Sequence, residues 1–568
     1  MPKVPVHLIP AARGIVPADI VYRNARIFNT FTCDWERSDL AVKDGIIVGI
    51  GTAYLGEQER DLKDAYIVPG LIDAHVHIES SLLTPQEYAQ LVALHGTTTV
   101  IADPHEIANV SGAAGLEFML SCRRDALVDI RYMLPSCVPA TPVDVGGATL
   151  GAADLGIFTG RDGILGLGEM MNVPGVLAGD PDVMEKLALA PIRDGHAPLL
   201  SSRDLNAYVL SGLQSDHECT TRAEAEEKLR RGMYIYIREG STEQNIAELI
   251  PLVSPANVSR CCFATDDCHA DLLERDGHID RCIRKAITCG CVPELAIRMA
   301  TLSAAERFGL SDRGALAPGR RADFCIVDSP GNFVVRETVR SDCRSDTISV
   351  RSSKQLPVPA PESSFHCTTP APEEIRIDGA GMARVIGLVP HQIITESLRY
   401  EISGTDIPDT RRDILKIVVC NRYHDHRIGV GLVHGFGFDE GAIASSVAHD
   451  AHHIVAAGTS DAEILAAIDA VIRSRGGMVV VQGRSETILP LDCAGLMSTL
   501  PYRDVVIHLS ALQESARMLG GIDNPFMYLS FSALTVIPSL RITDRGMFDS
   551  TAFRDVPLFE ICGGSVFR

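Results

Sequence analysis

The chain has 568 residues, of which 46% are apolar and 22% charged, and its formal net charge is −21. This composition is typical of globular proteins and the length predicts about three domains, while the negative charge argues against nucleic acid or an anionic membrane surface as a partner. The sequence has no run of about 18 apolar residues, no secretory signal pattern and no C-x-x-C pair among its 16 cysteines, so we expect a cytoplasmic protein with reduced thiols.

The first predicted elements are short strands near the N-terminus. Asp19–Ile27 and Asp39–Ile50 alternate apolar and polar residues, and Asp44-Gly45 is typical of a hairpin turn. We therefore expect residues 1–65 to be the first part of a small β-domain. Strand-like residues recur within 311–350, which we expect to supply the return strands of the same, discontinuous domain.

Between residues 66 and 310, short apolar runs alternate with helical stretches such as Pro85–His95 and Pro293–Phe308. This repeated alternation predicts an α/β fold, namely a (β/α)8 barrel with a packed interior. The strand candidates are 66–77, Thr97–Ala102, Ile130–Val138, Ile164–Met170, Ile192–His196 with Leu199–Leu200, Leu213–His217, Met233–Ile237 and Cys261–Ala264.

The remainder of the chain is predicted to be a linker followed by another large unit. Residues 351–373 are rich in Ser, Pro and Thr, which is typical of a linker. Residues 374–568 contain strand-like runs at Ile414–Cys420 and Met478–Val481, together with a helical pattern at Asp461–Ser474. We expect a C-terminal domain with its own core and an α/β or α+β fold.

The pair His75 and His77 is the first indication of chemistry in the chain. Alternate residues of a strand point to the same side, which in a barrel leads to the mouth where active sites lie. Alone, the pair is a weak signal, because a structural role fits it as well. Carboxylates and imidazoles recur, however, at later strand ends, in Asp103-Pro104-His105-Glu106, Glu169, His196, Asp216-His217-Glu218, Arg238-Glu239 and Asp266-Asp267. Burying such groups unpaired costs about 2–7 kcal/mol each, and a shared metal centre removes that cost, so we predict a metal site.

Four segments carry a resemblance to known enzymes. Val68–His77 resembles the first-strand signature of the amidohydrolase superfamily. Ile78–Pro85, Ala102–Val110 and Ser445–Asp450 are more specific, and together they resemble the bacterial adenine deaminase family of that superfamily. The resemblance covers the chain from about residue 19 to the C-terminus, except for the linker.

Glu169 distinguishes subfamilies within this resemblance. Many relatives, such as dihydroorotases and hydantoinases, bridge two metal ions with a carboxylated Lys on the fourth strand, whereas Glu169 stands here and favours a deaminase over a cyclic amidase. By resemblance, His75, His77 and Asp266 hold one metal ion, His196 and His217 hold a second, and Glu169 bridges them. The resemblance implies two ions per subunit, preferably Mn²⁺, with Fe²⁺ or Zn²⁺ also suited to these nitrogen and oxygen donors.

The implied reaction is the hydrolytic deamination of adenine to hypoxanthine and ammonia, in purine salvage. Asp266 would take the proton of the attacking water, and an acid must protonate ring N1 as ammonia leaves. Glu218 and Glu239 are the candidate acids, and His105 would position the base or orient the attacking water. The candidate substrate contacts are Arg238, Glu79, Asp267, His449 and Asp450.

Several of these residues have a structural alternative. The alternatives are orientation of His217 by Glu218, an ion pair of Glu239 with Arg238, a helix cap at Asp267, a loop brace at His105 and a polar loop at His449–His453. The sequence also departs from the family pattern at Asp439-Glu440, where a basic pair is expected, and at His453, where Asn is usual. These departures do not affect the predicted metal ligands. They keep an N6-substituted adenine as an alternative substrate.

Two competing functions also stay open at this stage. One is a cyclic amidase or N-acyl hydrolase on the same barrel, and the other is a non-catalytic, amidohydrolase-like scaffold. The expected partner is a small purine base, without nucleic acid or membrane. The resemblance further implies a homo-oligomer, either a dimer or a tetramer.

Overall fold

The computed structural model describes residues 6–341, 356–362, 364–403, 407–423 and 426–560. Parts of four predicted segments therefore lie outside the described residues. They are 1–5 of the first β-domain segment, 342–350 of the return-strand segment, 351–355 and 363 of the linker, and 404–406, 424–425 and 561–568 of the C-terminal domain.

The N-terminal β-domain is built around a mixed sheet. Within the described ranges the sheet has seven strands, in the order Val335–Val339, Phe324–Val327, Tyr66–Pro69, Ala18–Asn29, Asp34–Lys43 and Ile46–Ile50, with Gly56–Asp61 paired to Ala18–Asn29. The predicted hairpin at Asp44-Gly45 is confirmed. Both residues have positive φ angles, 51° and 71°, as the tight turn between two paired strands requires.

This sheet is discontinuous in the sequence, because Phe324–Val327 pairs antiparallel with Tyr66–Pro69. The apolar run predicted at 66–77 is therefore divided between two sheets, and its second part, Leu71–Val76, begins the barrel. Gly70 lies at the change of sheet, where a side chain would overlap the side chain of Thr98. The close approach of the two sheets thus requires glycine at this position.

The predicted (β/α)8 barrel is confirmed, and each strand candidate corresponds to one of the eight barrel strands in the described residues, except that Leu199–Leu200 lies outside strand 5, with Leu199 in a turn. We number as barrel strands 1 to 8 Leu71–Val76, Thr97–Ala102, Asp129–Leu134, Ile164–Met170, Arg193–Gly195, Ser215–Asp216, Tyr234–Arg238 and Cys261–Ala264. Strands 1 to 5 and strands 6 to 8 form two parallel sheets. The amide of Gln214 donates to the carbonyl of Arg193 at 3.2 Å and joins strand 5 to strand 6. The amide of Asp266 donates to the carbonyl of His75 at 3.0 Å and joins strand 8 to strand 1.

Helices follow the barrel strands and cover their outer side. They are Pro85–Leu94, His105–Cys122, Ala152–Gly156, Val173–Ala178, Pro181–Leu187, Ser202–Leu210, Arg222–Arg230, Ile246–Leu249, Ala270–Asp276, Ile279–Thr288, Pro293–Arg298 and Ala304–Arg307. Every residue of barrel strands 1, 2 and 8 is buried, as expected for parallel strands that helices cover.

The C-terminal domain contains a mainly antiparallel sheet with helices, which is the α+β alternative of the two predicted folds. The strand order is Thr395–Ile402, Gly381–Leu388, Ile428–His434, Ile414–Cys420, Ile454–Gly458, Ala442–Ser445, Gly477–Gln482 and Ser485–Pro490. Its helices are Asp461–Arg473, Tyr502–Met518 and Pro525–Phe531, and a small sheet follows at Leu540–Thr543, Gly546–Asp549 and Arg554–Asp555.

The C-terminal domain packs directly on the barrel. The amide of Ser498 donates to the carbonyl of Leu82 at 2.8 Å, and the amide of Tyr502 donates to the buried Glu87 carboxylate at 2.8 Å. Leu91 of the barrel and Leu509 of the C-terminal domain belong to one continuous hydrophobic cluster. The loops of the C-terminal domain are thereby held near the barrel.

Two observations bear on the expected environment of the chain. Among the described ranges, no helix combines the length and the apolar character needed to cross a membrane. Every cysteine in the described part of the chain is a free thiol.

Candidate functional site

The predicted metal ligands lie at the carboxyl ends of five barrel strands. His75 is in strand 1 and His77 follows it, Glu169 is in strand 4, and His196, His217 and Asp266 follow strands 5, 6 and 8. All six side chains are buried. Because the carboxyl ends of parallel strands meet at one mouth of a barrel, the fold brings these six residues together.

The first group of donor atoms consists of His75, His77 and Asp266. The Nε2 atoms of the two imidazoles are 3.1 Å apart. Asp266 Oδ1 is 3.5 Å from His75 Nε2 and 3.1 Å from His77 Nε2. Two nitrogens and one carboxylate oxygen therefore converge on the same small volume.

Glu169 connects this group with a second group, formed by His196 and His217. Its Oε1 is 3.1 Å from His77 Nε2 and 3.6 Å from His75 Nε2. Its Oε2 is 2.7 Å from His196 Nδ1 and 3.2 Å from His217 Nε2. One carboxylate thus presents one oxygen to each group.

Neighbouring residues orient these donors. His77 Nδ1 donates to the backbone carbonyl of Asp103 at 3.0 Å, so the lone pair of Nε2 faces the donor groups. The Asp103 carboxylate accepts the amide of Glu169 at 2.9 Å. The ring of His77 and the backbone of Glu169 are therefore held by the same residue.

The donor set fits a divalent metal ion. Metal–ligand bonds of about 2.0–2.2 Å place neighbouring ligand atoms at separations like those found here. Burial opposes ionisation of Glu169 and Asp266, but the surrounding imidazoles outweigh it and hold the pKa of both carboxyl groups well below the usual range. The sets that could share an ion include His75, His77 and Glu169, the set Glu169, His196 and His217, and the set His75, His217 and Asp266.

Arg238, at the end of barrel strand 7, holds two carboxylates of the site. Its Nη1 donates to Asp266 Oδ2 at 2.7 Å and contacts Glu218, whose other oxygen accepts from Nη2 at 3.1 Å. Glu218 Oε1 also lies 3.4 Å from His217 Nε2. The candidate acid Glu218 therefore lies between the ligand groups and Arg238.

Glu239, the other candidate acid, is not brought to the site. Its side chain contacts Lys285 Nζ and accepts the amide of Ile246 at 3.4 Å, and it does not line the cleft described below. The ion pair considered for Glu239 is therefore made with Lys285 rather than with Arg238. Burial raises the pKa of Glu239, and Lys285 opposes that effect.

His105 and Asp267 reach the cleft, whereas Glu79 lies behind it. His105 Nδ1 is 3.6 Å from Glu169 Oε1. Asp267 contacts the Ser80 hydroxyl, and the next helix begins only at Ala270, with His269 in its N-cap position, so Asp267 is not its cap. Glu79 accepts the amide of Ile107 at 3.2 Å, and burial raises its pKa to about 7.

The loop that carries His449 and Asp450 brings the C-terminal domain to the barrel mouth. Both residues line the cleft. His449 Nδ1 is 2.6 Å from Ser530 Oγ, and its ring stacks on Phe531 with centroids 4.9 Å apart. Burial lowers the pKa of His449, but Glu106 outweighs this and raises it to about 9.

Glu106 connects this loop to the barrel, although sequence reasoning assigned it no role. Its Oε1 lies 3.1 Å from His449 Nε2 and 3.3 Å from His105 Nε2, and its Oε2 contacts His452 Nε2. The amide of Ala448 donates to His452 Nδ1 at 3.2 Å, so Nε2 carries the proton that faces Glu106. Two of the three imidazoles come from the distant C-terminal domain, and no local sequence signal could have indicated this contact.

These residues surround one cleft, which lies between the barrel mouth and the C-terminal domain. Sequence reasoning assigned no individual role to the cleft residues Glu106, Met171, Glu243, Ile393, Phe531 and Leu534. Phe531 lies within the part of the chain that the family resemblance covers, but only the fold shows that it faces the barrel. Asp439, Glu440 and His453, where the sequence departs from the family pattern, do not line the cleft.

Comparisons with known proteins agree with this architecture. The chain matches the Amidohydrolase family over residues 66–352 and the Adenine deaminase C-terminal domain over residues 392–554. A protein of Methanoregula boonei named adenine deaminase is 65% identical over 98% of this chain and 99% of the relative. Another of that name, from Methanoculleus marisnigri, is 60% identical over 92% of this chain and 100% of the relative.

Among solved structures, the chain is similar to an adenosine deaminase from Xanthomonas campestris with bound zinc. The two are 15% identical with a TM-score of 0.42, and the match covers 59% of this chain and 95% of that chain. The sequence matches, by contrast, extend over nearly the whole chain at high identity. The chain belongs to the adenine deaminase family of the amidohydrolase superfamily.

Proposed function

We propose that the protein catalyses the hydrolytic deamination of adenine to hypoxanthine and ammonia at a binuclear metal centre. The observation that carries the proposal is Glu169, whose two oxygens face two separate groups of imidazole and carboxylate donors. An unmodified glutamate can serve both groups without the carboxylated lysine of cyclic amidases. The name adenine deaminase, which relatives of 60–65% identity carry, supports the choice of substrate.

Six residues would hold the two ions. His75, His77 and Asp266 form one set, His196 and His217 form the other, and Glu169 belongs to both. The nitrogen and oxygen donors suit Mn²⁺, and also Fe²⁺ or Zn²⁺. When bound, such ions lower the pKa of water enough for it to serve as a nucleophile towards C6 of the purine at neutral pH.

Proton movement is assigned to Asp266 and Glu218. Asp266 directs one oxygen to the histidines while Arg238 holds the other, so its carboxylate is fixed for accepting the proton of the attacking water. Glu218 lines the cleft within reach of the same ligands, and we assign it the protonation of ring N1. His105 is assigned the orientation of the reacting groups. Because the donors of Arg238 are engaged by Glu218, Asp266 and Asn245, we give Arg238 a positioning role beside the purine.

The C-terminal domain is assigned the closure of the purine pocket. Ile393, Phe531 and Leu534 supply apolar surface for the flat base, and His449 and Asp450 supply polar contacts. Exclusion of bulk water from such a cleft strengthens the electrostatic interactions inside it. Asp267 lies 3.4 Å from His449 Nε2 and so supports this wall, whereas Glu79 braces the barrel side of the cleft through the amide of Ile107.

We also propose that this reaction serves purine salvage, because deamination of free adenine keeps the purine ring intact for reuse. We propose the cytoplasm as its location. A homo-oligomer, either a dimer or a tetramer, is proposed as the functional form. Light scattering coupled to size-exclusion chromatography tests the assembly directly, and a monomer at enzyme concentrations used in assays would contradict it.

The activity is tested with protein that has been stripped of metal and reloaded with Mn²⁺. We expect ammonia release from adenine and no turnover of hydantoin or dihydroorotate. A preparation that releases no ammonia from adenine refutes the proposal. N6-methyladenine is assayed in parallel, because the sequence leaves an N6-substituted adenine open as the substrate. The double variant His75→Ala, His77→Ala should bind less metal, and unchanged metal content in that variant would rule out the assigned ligands.

A further inference from the structure

Glu243 is a buried carboxyl group of the cleft that the proposed reaction leaves without a role. Its side chain lines the cleft beside Arg238, and the residue is 2% exposed. Its Oε2 has no hydrogen-bond partner anywhere in the described part of the chain. Buried carboxylate oxygens normally have partners, because an unsatisfied one costs free energy, so this oxygen indicates a missing donor.

The position of this carboxyl group is fixed by the turn that carries it. The amide of Gly240 donates to the carbonyl of Glu243 at 2.9 Å, and the amide of Ser241 donates to the carbonyl of Asp267 at 2.9 Å. The hydroxyl of Thr242 contacts Glu243 Oε1. A Cβ atom at Gly240 would lie 2.8 Å from Glu243 Oε2. The absence of a side chain at Gly240 therefore provides the space for this oxygen.

Glu243 shares the cleft with residues of both domains. Arg238 and Asp266 of the barrel line the same cleft, and so do Ile393 and Phe531 of the C-terminal domain. Phe531 is the last residue of the helix Pro525–Phe531.

A purine whose C6 reacts at the metal ligands directs its five-membered ring away from them. In a free base that ring carries an N–H, at N9 or N7, whereas a nucleoside or any N9-substituted purine has lost it. A donor N–H is the group that Glu243 Oε2 lacks. Binding of a free base would therefore pair the otherwise unsatisfied oxygen Oε2 of the Glu243 carboxyl group, and binding of a nucleoside would leave it unpaired next to an added substituent.

We propose that Glu243 is a specificity-determining residue that accepts the ring N–H of a free purine base and thereby excludes N9-substituted purines. The inference rests on the proposed function, since it concerns the substrate of the same cleft. A site built to pair a polar group of its substrate rejects an analogue without that group by a factor of about 10⁴.

The test compares adenine with 9-methyladenine in the Mn²⁺-loaded wild type and in Glu243→Gln and Glu243→Ala. Metal content and melting temperature are measured for each protein. We expect kcat/KM for adenine to fall by about 10–100-fold in Glu243→Ala, mainly through KM, and less in Glu243→Gln, whose amide oxygen can still accept the ring N–H. We also expect the ratio of kcat/KM for adenine to that for 9-methyladenine to fall at least tenfold in Glu243→Ala. Glu248→Gln, on the exposed side of the following helix, is the matched control and should keep the wild-type ratio.

The outcomes separate this inference from the activity itself. An active wild type whose substrate ratio is unchanged in both variants overturns the inference alone, and so does equal loss on both substrates. Absence of ammonia release from adenine by the wild type overturns the proposed function and the inference together. Inhibition of the wild type by purine and by 9-methylpurine gives the same comparison without any variant, and equal inhibition by the two would also overturn the inference.

Discussion

Glu169 illustrates how much one residue contributes to this site. Its carboxylate is 3% exposed, and its two oxygens lie within 3.2 Å of imidazoles from strands 1, 5 and 6. A buried carboxylate in such a position costs free energy unless a cation balances its charge. The residue is therefore the most direct point at which to test the proposed centre.

Glu169→Gln should reduce the metal content of the protein, because the amide keeps the shape of the side chain and removes its charge. The activity should fall by more than the ~10–100-fold typical of partners outside the ligand shell. Elemental analysis of the purified variant measures the metal content. Glu117→Gln, an exposed residue paired with Arg161, is the control. Full metal occupancy in Glu169→Gln would argue against a bridging role.

A second residue-scale prediction concerns Lys228, whose side chain is completely buried against Asp216, at 3.0 Å. Lys228→Met leaves the Asp216 carboxylate buried without its partner, which costs about 3–5 kcal/mol. Scanning calorimetry should show a clearly lower melting temperature. Lys186→Met, which breaks a pair with the exposed Asp182, should have a much smaller effect.

The pH dependence of the Lys228 effect has a defined sign. Burial raises the pKa of Asp216, but Lys228 outweighs it, and the pKa lies below the usual range. A lowered carboxyl pKa contributes stability above the unfolded-state value of about 4, and this contribution is lost as the pH falls. The deficit of Lys228→Met should therefore be largest at neutral pH and shrink below about pH 4. A deficit that is independent of pH would mean that lost packing, and not charge, causes it.

At the scale of elements, the backbone of barrel strand 4 determines where Glu169 points. Gly168 lies against the Asp103 carboxylate, which in turn accepts the amide of Glu169. The loop after barrel strand 2 and the end of strand 4 are thus fitted to each other without space for another atom. The C-terminal loop contacts the barrel through His449 Nε2, which lies 3.1 Å from Glu106 Oε1.

Gly168→Ala should displace Asp103, because the added methyl group would overlap its carboxylate. We expect lower metal content and an activity decrease of about tenfold or more, since orientation of ligands by their neighbours is worth that much. Gly156→Ala is the matched control, with its nearest new contact at 3.9 Å. Equal activity of the two variants would show that strand 4 adapts without disturbing Glu169.

At the scale of the whole molecule, the barrel that carries the proposed metal ligands contacts both the β-domain and the C-terminal domain. The β-domain closes around both ends of the barrel segment, and the C-terminal domain packs on the barrel beside Leu82 and Glu87. The cleft lies between the barrel and the C-terminal domain. Binding of an ion to the folded mouth should therefore stabilise the molecule as a whole.

Removal of metal by a chelator should lower the melting temperature, and Mn²⁺ should restore it in a concentration-dependent manner. Ligand linkage gives a stabilisation of about 4 kcal/mol when free metal exceeds its dissociation constant 1,000-fold. Calorimetry with increasing Mn²⁺ measures this effect. The double variant His75→Ala, His77→Ala should respond much less, and an equal response in wild type and double variant would place the stabilising ion elsewhere.

The sequence by itself determined the barrel and the set of candidate ligands. Barrel strands appear in the sequence as apolar runs because both faces of each strand are buried. The ends of these strands are recognisable because charged residues follow the apolar runs directly. His75, Glu169, His217 and Asp266 could therefore be assigned to one mouth before any distance was known. The hairpin at Asp44-Gly45 was equally predictable, since its backbone angles favour those two residues.

Only the tertiary structure decided which polar residues face the cleft and which face away. Glu239 turns to Lys285 while Glu243, four residues later, faces the cleft, because hydrogen bonds within the turn set the direction of each side chain. Glu106 and His449 meet across 343 positions of sequence. Such contacts depend on how one folded domain packs on another, and no local periodicity or spacing records that packing.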